Sequence, residues 1–376
     1  MMTFTVPLLQ KDFGLSHGQL GSLFSTATIM AGCAQPLCGR AMDQFGGRLC
    51  ISLLQLAIAA SLFVFATWQR PESRPLLQVE VILIFFVLRL LCLGAGELFP
   101  NALVQQWFER QRGRAVGMVY ICQWLGGALF GTLVAAMVAK HGWRLAALLG
   151  AVLNLLCAAV SLLFLRSPPI EHEFKEVSEV VPIRFWVHFL FTGFFSLTMG
   201  GSDFYMVEMV AEASGTEVSV PWHVFTPLAI VSSLSLVATG ELMDAYSHKS
   251  WLPTALLALA GVCAGISTLQ LIMMSSPFLA VCYGVLRGIS VGIFHSLLQA
   301  GLFYSAQGVS PSEIGSILGY NQLCNLVGTG SANFWYGISR EVSGSFKLSL
   351  YVSSIPTLLL GLLFAHQALE VKAHGD

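Results

Sequence analysis

Two arginines sit where a charge is hard to keep. The stretch from Glu80 to about Val104 is apolar and long enough to cross a bilayer, yet it holds Arg89 and Glu97 in its interior. A charge at the centre of a membrane helix costs about 2.5–3.5 kcal/mol on insertion scales, so something must compensate it. About 198 residues on, the pattern returns: Arg287 matches Arg89, Gly292 matches Gly94, and His295 matches Glu97. A guanidinium in low dielectric is a receptor for a carboxylate or phosphate, often through two parallel hydrogen bonds. A carboxyl or imidazole at the same depth can load and release a proton. Asp203, after Gly200-Gly201-Ser202, is either a further substrate contact or the partner of one arginine. The alternative for each arginine is a structural one, pairing with an internal acid or with helix carbonyls. Glu97 is eight residues from Arg89, roughly 80° round and about 12 Å along a regular helix, too far for a direct pair.

These residues need a frame of membrane helices. The chain of 376 residues is 55% hydrophobic and only 10% charged, with a net charge of -1. Soluble domains carry about 25% charged residues, so a polytopic helical membrane protein is expected. No basic patch or stripe points to nucleic acid. The nine cysteines fall in or beside apolar stretches and read as small buried residues, neither a disulfide framework nor a metal site. Nothing resembles a nucleotide loop, a metal cluster or a catalytic triad, so neither cofactor, metal nor enzymatic activity is expected.

Eleven full spans and one partial follow. Met1–Leu9 is apolar but too short to cross, which leaves the first helix incomplete. The others run over 19–38, 49–67, 80–104, 115–139, 143–165, 183–209, 222–239, 251–274, 278–304, 314–336 and 346–366. The polar segment 166–182, with Pro168-Pro169 and four glutamates, reads as a linker between an N-terminal bundle (1–165) and a C-terminal bundle (183–376). Lysines and arginines in short loops favour one side by ten to seven. By the positive-inside rule that side, which holds the linker and the C-terminus, is cytoplasmic. A plasma or cytoplasmic membrane and a monomer are expected.

The chain also repeats. Gly39-x-x-x-Asp43 returns as Gly240-x-x-x-Asp244, and Gly113-x-x-x-Gly117 with Cys122, Gln123 and Gly126 returns as Gly315-x-x-x-Gly319 with Cys324, Asn325 and Gly328. One six-helix unit is used twice, as in transporters whose site lies between two parallel repeats. Gly39 lets two helices approach closely, and Asp43 can accept at a helix N-terminus or pair with an arginine.

Gly39-Arg-Ala-Met-Asp43-Gln-Phe-Gly46-Gly-Arg48 resembles the loop signature of the major facilitator superfamily, although Gln44 and Gly47 depart from its basic residues. The resemblance covers essentially the whole chain. Leu88-Arg89 through Gly94-x-Gly96, Trp107-Phe108 through Arg112-Gly113-Arg114-Ala115, and Asp12-Phe-Gly-Leu-Ser16 are similar to the monocarboxylate and oxalate/formate transporter branch. Two features of relatives are missing: a cation between Trp222 and Thr239, and the glycine–proline signature of antiporters in the fifth helix. The resemblance implies an all-α fold of two six-helix pseudo-repeats with helices one, four, seven and ten around a central cavity. It implies a secondary transporter of a small organic anion, monocarboxylate-like and working by alternating access, possible symport with a proton included. Arg89, Arg287, Asp203, Gln123, Asn321 and Asn325 are then the substrate-binding candidates. Glu97 and His295 are the proton-coupling candidates, and Gly39, Asp43, Gly46, Arg48, Gly240 and Asp244 the conformational motif. The lipid bilayer and the anion are the expected partners. A non-transporting sensor or scaffold paralogue, and a drug or lipid exporter, are the alternative readings.

Overall fold

The computed structural model describes residues 14–69, 73–108, 111–167, 183–214, 222–246, 249, 251–273, 276–297 and 313–375. Among the described residues there is no strand. The helices are α1 (His17–Phe45), α2 (Gly47–Thr67), α3 (Arg74–Leu88), a π-helical segment (Arg89–Ala95), α4 (Gly96–Trp107), α5 (Arg112–His141) and α6 (Trp143–Phe164). They continue as α7 (Ile183–Phe204), α8 (Met206–Ser214), α9 (Trp222–Ala245), α10 (Leu252–Ile272), α11 (Pro277–Ser296), α12 (Ile314–Ser343) and α13 (Lys347–Gly375). Among the described residues, seven helical stretches are long and apolar enough to cross a membrane. Met1–Leu9 and most of the linker lie outside the described residues.

Local chemistry sets the boundaries. Ser16 opens α1 with a capping box: its hydroxyl accepts from the Gln19 amide, and the Gln19 side chain accepts from the Ser16 amide. α1 runs on through Pro36 to Gly46, whose φ of +76° ends α1 and starts α2. Gly39 and Asp43 therefore ride the last turns of a helix that outruns the expected 19–38 span. The seventh expected span divides at Tyr205 into α7 and α8.

The fourth span is not one regular helix. Seven residues, Arg89–Ala95, form a π segment between α3 and α4. Pro100 in α4 lacks the amide that would bond to the Gly96 carbonyl, and Gly94 and Gly96 soften the turns before it. The second copy keeps its regular helix for a visible reason. Gly284, Gly288 and Gly292 recur every four residues along α11, and each lies against a carbonyl of α9: Val224, Leu228 and Ser232. Small residues of this kind let two helix backbones approach closely. The matching positions in the first copy are Phe86, Leu90 and Gly94. Only Gly94 keeps the close approach, to the Gln35 amide of α1.

α1 and α12 share the most extensive contact of any helix pair, and they run together along their length. Gly39 meets the Gly315 carbonyl at one end, Gly319 meets Gln35 in the middle, and Gly18 meets Glu341 at the other end. α5 and α9 behave differently. Gly113 and Gly240 are in mutual contact, but Gly126 and Gly127, further along α5, meet no described atom within 4 Å. Large apolar side chains such as Phe63, Val64, Leu156, Leu163 and Phe164 point outward, as lipid-facing surfaces require. The cysteines correct the expectation of uniform burial: Cys33, Cys92, Cys122 and Cys157 are exposed.

Candidate functional site

The π segment decides what the fourth span presents. A π turn closes with i→i+5 bonds, so it advances through less angle per residue than an α turn. In a regular helix Glu97 would drift roughly 80° from Arg89. Here Arg89, Leu93 and Glu97 all line one cavity of about 290 Å³. α5 adds Tyr120, Gln123 and Trp124 to its wall, and α7 adds Phe195, Ser196, Met199 and Asp203. α11 contributes Phe294 and His295, and α12 contributes Asn325 and Thr329. The space suits a small metabolite.

The two arginines have different surroundings. Arg89 lies over the Phe24 ring, 4.0 Å from its centroid, an interaction worth about 0.5–2 kcal/mol. Its Nε has no hydrogen-bond partner, and it makes no ion pair among the described residues. Phe24 is itself stacked on Phe204 of α7 at 4.3 Å and edge-on to Phe85 at 5.4 Å. Arg287 is fully buried behind the wall. It pairs with Asp203, donates to Ser202 Oγ at 2.9 Å and to the Met199 carbonyl at 3.0 Å, and also contacts the Met199 sulfur. Asp203 faces the cavity with half its side chain exposed and holds Arg287 from the front.

Glu97 is 6% exposed. Gln322 Nε2 donates to its Oε2 at 3.1 Å and to the Leu93 carbonyl at 2.9 Å. Asn325 Nδ2 donates to Gln322 Oε1 at 3.2 Å, and Ser196 Oγ donates to Asn325 Oδ1 at 2.6 Å. His295 sits among aromatic rings, with Tyr120 at 5.0 Å and Trp124 at 6.4 Å, and its Nδ1 has no partner. Asn321 is fully buried and is not on the wall. The structure thus brings Arg89, Glu97, Gln123, Asp203, His295 and Asn325 to one cavity, and leaves Arg287 and Asn321 behind it. Phe24, Tyr120, Trp124, Ser196 and Gln322 were missed by sequence reading. Only Gln322 left a signal, as a third amide within Asn321–Asn325.

The conformational motif lies at one end of the molecule, in two crossed contacts. Asp43 accepts from the amides of Gly315 at 2.8 Å and Ser316 at 2.7 Å, and from the Ser316 hydroxyl at 2.7 Å, at the start of α12. Asp244 accepts from the amides of Gly113 at 3.1 Å and Arg114 at 2.9 Å, at the start of α5. Each carboxylate meets the positive end of a helix from the opposite half of the chain. Arg114 also pairs side-on with Glu241 at 2.5 and 2.7 Å. Arg48 donates to the Leu162 carbonyl and so closes the end of α6. Among the described residues no cluster of His, Cys, Asp and Glu could hold a metal ion.

The Major Facilitator Superfamily model matches residues 1–332, and the chain belongs to that family; it is an integral, multi-pass membrane protein. It is 24% identical over 387 residues to a hexuronate transporter of Bacillus subtilis (strain 168), covering 93% of this chain and 86% of that one. It is 28% identical over 141 residues to a probable L-galactonate transporter of Escherichia coli (strain K12), covering 36% of this chain and 28% of the relative. Among solved structures, it shares the fold of the proton:xylose symporter XylE bound to 6-bromo-6-deoxy-D-glucose. That match has a TM-score of 0.71 at 13% identity, over 97% of this chain and 91% of that one.

Proposed function

We propose that this chain is a secondary transporter of a small hydroxylated monocarboxylate, moved by alternating access together with a proton. The observation that carries the reading is Arg89: a cation on the wall of a central cavity that makes no ion pair among the described residues, Glu97 acting on it only through the cavity's field. Its guanidinium receives the carboxylate of the substrate. Asn325, Gln123 and Ser196 supply donors and acceptors for hydroxyls, and Tyr120, Trp124 and Phe294 supply flat apolar faces. The matched relatives carry hexuronate and L-galactonate in their names, and both molecules combine one carboxylate with several hydroxyls.

Glu97 is the proton carrier in this reading, because it shares the cavity with Arg89 and no cation is bonded to it. His295, ringed by aromatic side chains, stands beside the substrate as a neutral hydrogen-bonding group. The end with the crossed Asp43 and Asp244 contacts faces the cytoplasm, as the loop charges favour, and this arrangement is closed there. The protein acts as a monomer whose two bundles rock about the site.

The test is uptake of labelled glucuronate and galactonate into proteoliposomes under an inward proton gradient. Uptake of at least one, weakened about 10- to 100-fold in substrate affinity by Arg89→Ala, is expected from the loss of a charge-assisted bond. Uptake that is indifferent to Arg89→Ala would sink the reading.

A further inference from the structure

The cavity wall hides a residue that touches both halves of the chain and yet does not line the site. Gln322 on α12 is 1% exposed. Both hydrogens of its amide go to the first half, one to the Leu93 carbonyl on the π segment and one to Glu97 at the start of α4. Its oxygen accepts from Asn325, which in turn holds Ser196 on α7. Three hydrogen bonds thus run unbroken from Glu97 to α7, and of these only the bond between Gln322 and Glu97 crosses between the halves, alongside the one to Leu93. We infer that Gln322 is the positioning residue through which protonation of Glu97 controls separation of the two halves.

The physics fixes the sign. A hydrogen bond from an amide to an ionised carboxylate is about twice as strong as one to a neutral acceptor. The contact between α12 and α4 is therefore tightest when Glu97 is charged, and a proton on Glu97 weakens it. Linkage requires the converse: closing the halves drives the proton off, and parting them lets it on. The wide turn takes part because the Leu93 carbonyl and the Glu97 carboxyl share one donor group. When Gln322 lets go of the carboxyl, it also loosens its hold on the π segment that aligns Arg89 with Glu97. The substrate cation and the proton site are in this way governed by one side chain.

Other titratable groups face the same space and must be kept in view. They are Arg89 on the π segment, Tyr120 on α5, Asp203 on α7 and His295 on α11. α12 presents only Asn325 and Thr329 to this wall, and α1 and α2 contribute no lining residue among those described. Asp203 is engaged by Arg287, and His295 makes its ring contacts on α5 and α11. Neither is bonded to an element of the opposite half in the way Glu97 is bonded to Gln322.

The inference rests on reading Glu97 as the proton carrier, and the experiment separates the two. Spin labels at Phe45 and Tyr246, exposed positions at the closed ends of α1 and α9, report the distance between halves in the full chain in lipid nanodiscs. No substrate is needed. As pH falls from 8 to 5, the parted population is expected to rise at least about fivefold, the lower range for coupled sites. Glu97→Gln and Gln322→Met should each flatten that response, and the double variant should add nothing. Gln322→Glu should reverse it, since two ionised carboxylates repel at high pH. A full pH response in Gln322→Met, with Glu97→Gln flat, overturns the role of Gln322 and leaves Glu97 as carrier. A full response in Glu97→Gln overturns the carrier reading and the inference with it. A Gln322→Glu variant that keeps the ordinary sign also overturns the inference, independently of how the Met variant folds.

Discussion

Arg89 and Arg287 occupy matching places in a repeated unit, but one lies bare over the Phe24 ring while the other is tied behind Asp203. The glycine ladder of α11 and the π segment of the first copy account for the difference. A straight α11 keeps Arg287 against α7, whereas the widened turn swings Arg89 towards the cavity. In the proposed function the duplicate cations have separate tasks: Arg89 is offered to the substrate, while Arg287 fastens α11 to α7.

The first prediction follows from that division. Arg89→Ala should raise the KM for a carboxylate substrate about 10- to 100-fold with little loss of folded protein. Arg89→Lys should recover part of it, since a point charge replaces a planar fork. Transport kinetics beside detergent-solubilised yield would check this, and a collapse in yield for Arg89→Ala would contradict it.

Removing Asp203 tests the second arginine. Asp203→Ala leaves Arg287 buried with only Ser202 and Met199 as hydrogen-bond partners among the described residues. Losing one member of a buried pair costs about 3–5 kcal/mol, and the half-exposed Asp203 carboxyl brings the expected loss to about 2–3 kcal/mol. The double change Asp203→Leu with Arg287→Met should recover most of that stability. Thermal unfolding of purified protein reads both.

At the crossed contacts, backbone meets backbone. A methyl group at Gly39 would overlap the Gly315 carbonyl, and one at Gly240 would overlap Gly113. Overpacking of this sort costs about 1–3 kcal/mol, enough to move a two-state balance about 5- to 150-fold. Gly39→Ala should therefore speed alkylation of a cysteine placed at Ser316, which is 8% exposed. Gly126→Ala should leave that rate unchanged, because a methyl there meets no described atom within 4 Å.

Glu97→Gln keeps the shape of the side chain and its partnership with Gln322 while removing the titration. Wild-type uptake should rise as external pH falls, because more Glu97 is loaded on that side; the Gln variant should give a flat profile. Counterflow exchange, which needs no net proton movement, should persist in the variant. A variant whose uptake still climbs with acidity would place the proton elsewhere.

Much of this was legible in the residues. Arg89, Glu97 and His295 announce themselves because charge and polarity stand out in an apolar run. The glycine and aspartate pairs stand out because they recur at one offset. The π segment did not, since the six residues after Arg89 are all apolar or small and carry no helical phase from which a widened turn could be read. Gln322 was passed over beside Asn321 and Asn325 for a related reason. Three amides on one helix look alike until a neighbour on α4, Glu97, chooses among them. Whether Arg287 was receptor or fastener depended on Asp203, and spacing alone left that pairing open.

The crossed contacts at Asp43 and Asp244 have a further consequence. The first half caps a helix of the second at Gly315, and the second caps a helix of the first at Gly113. Residue i meets residue j while the counterpart of j meets the counterpart of i, which is the geometry of a twofold homodimer written into one chain. Such an interface is self-complementary: each half presents both a capping carboxylate and a helix start to be capped. Within one chain the two copies need not stay alike, and the unequal surroundings of Arg89 and Arg287 show how far they differ.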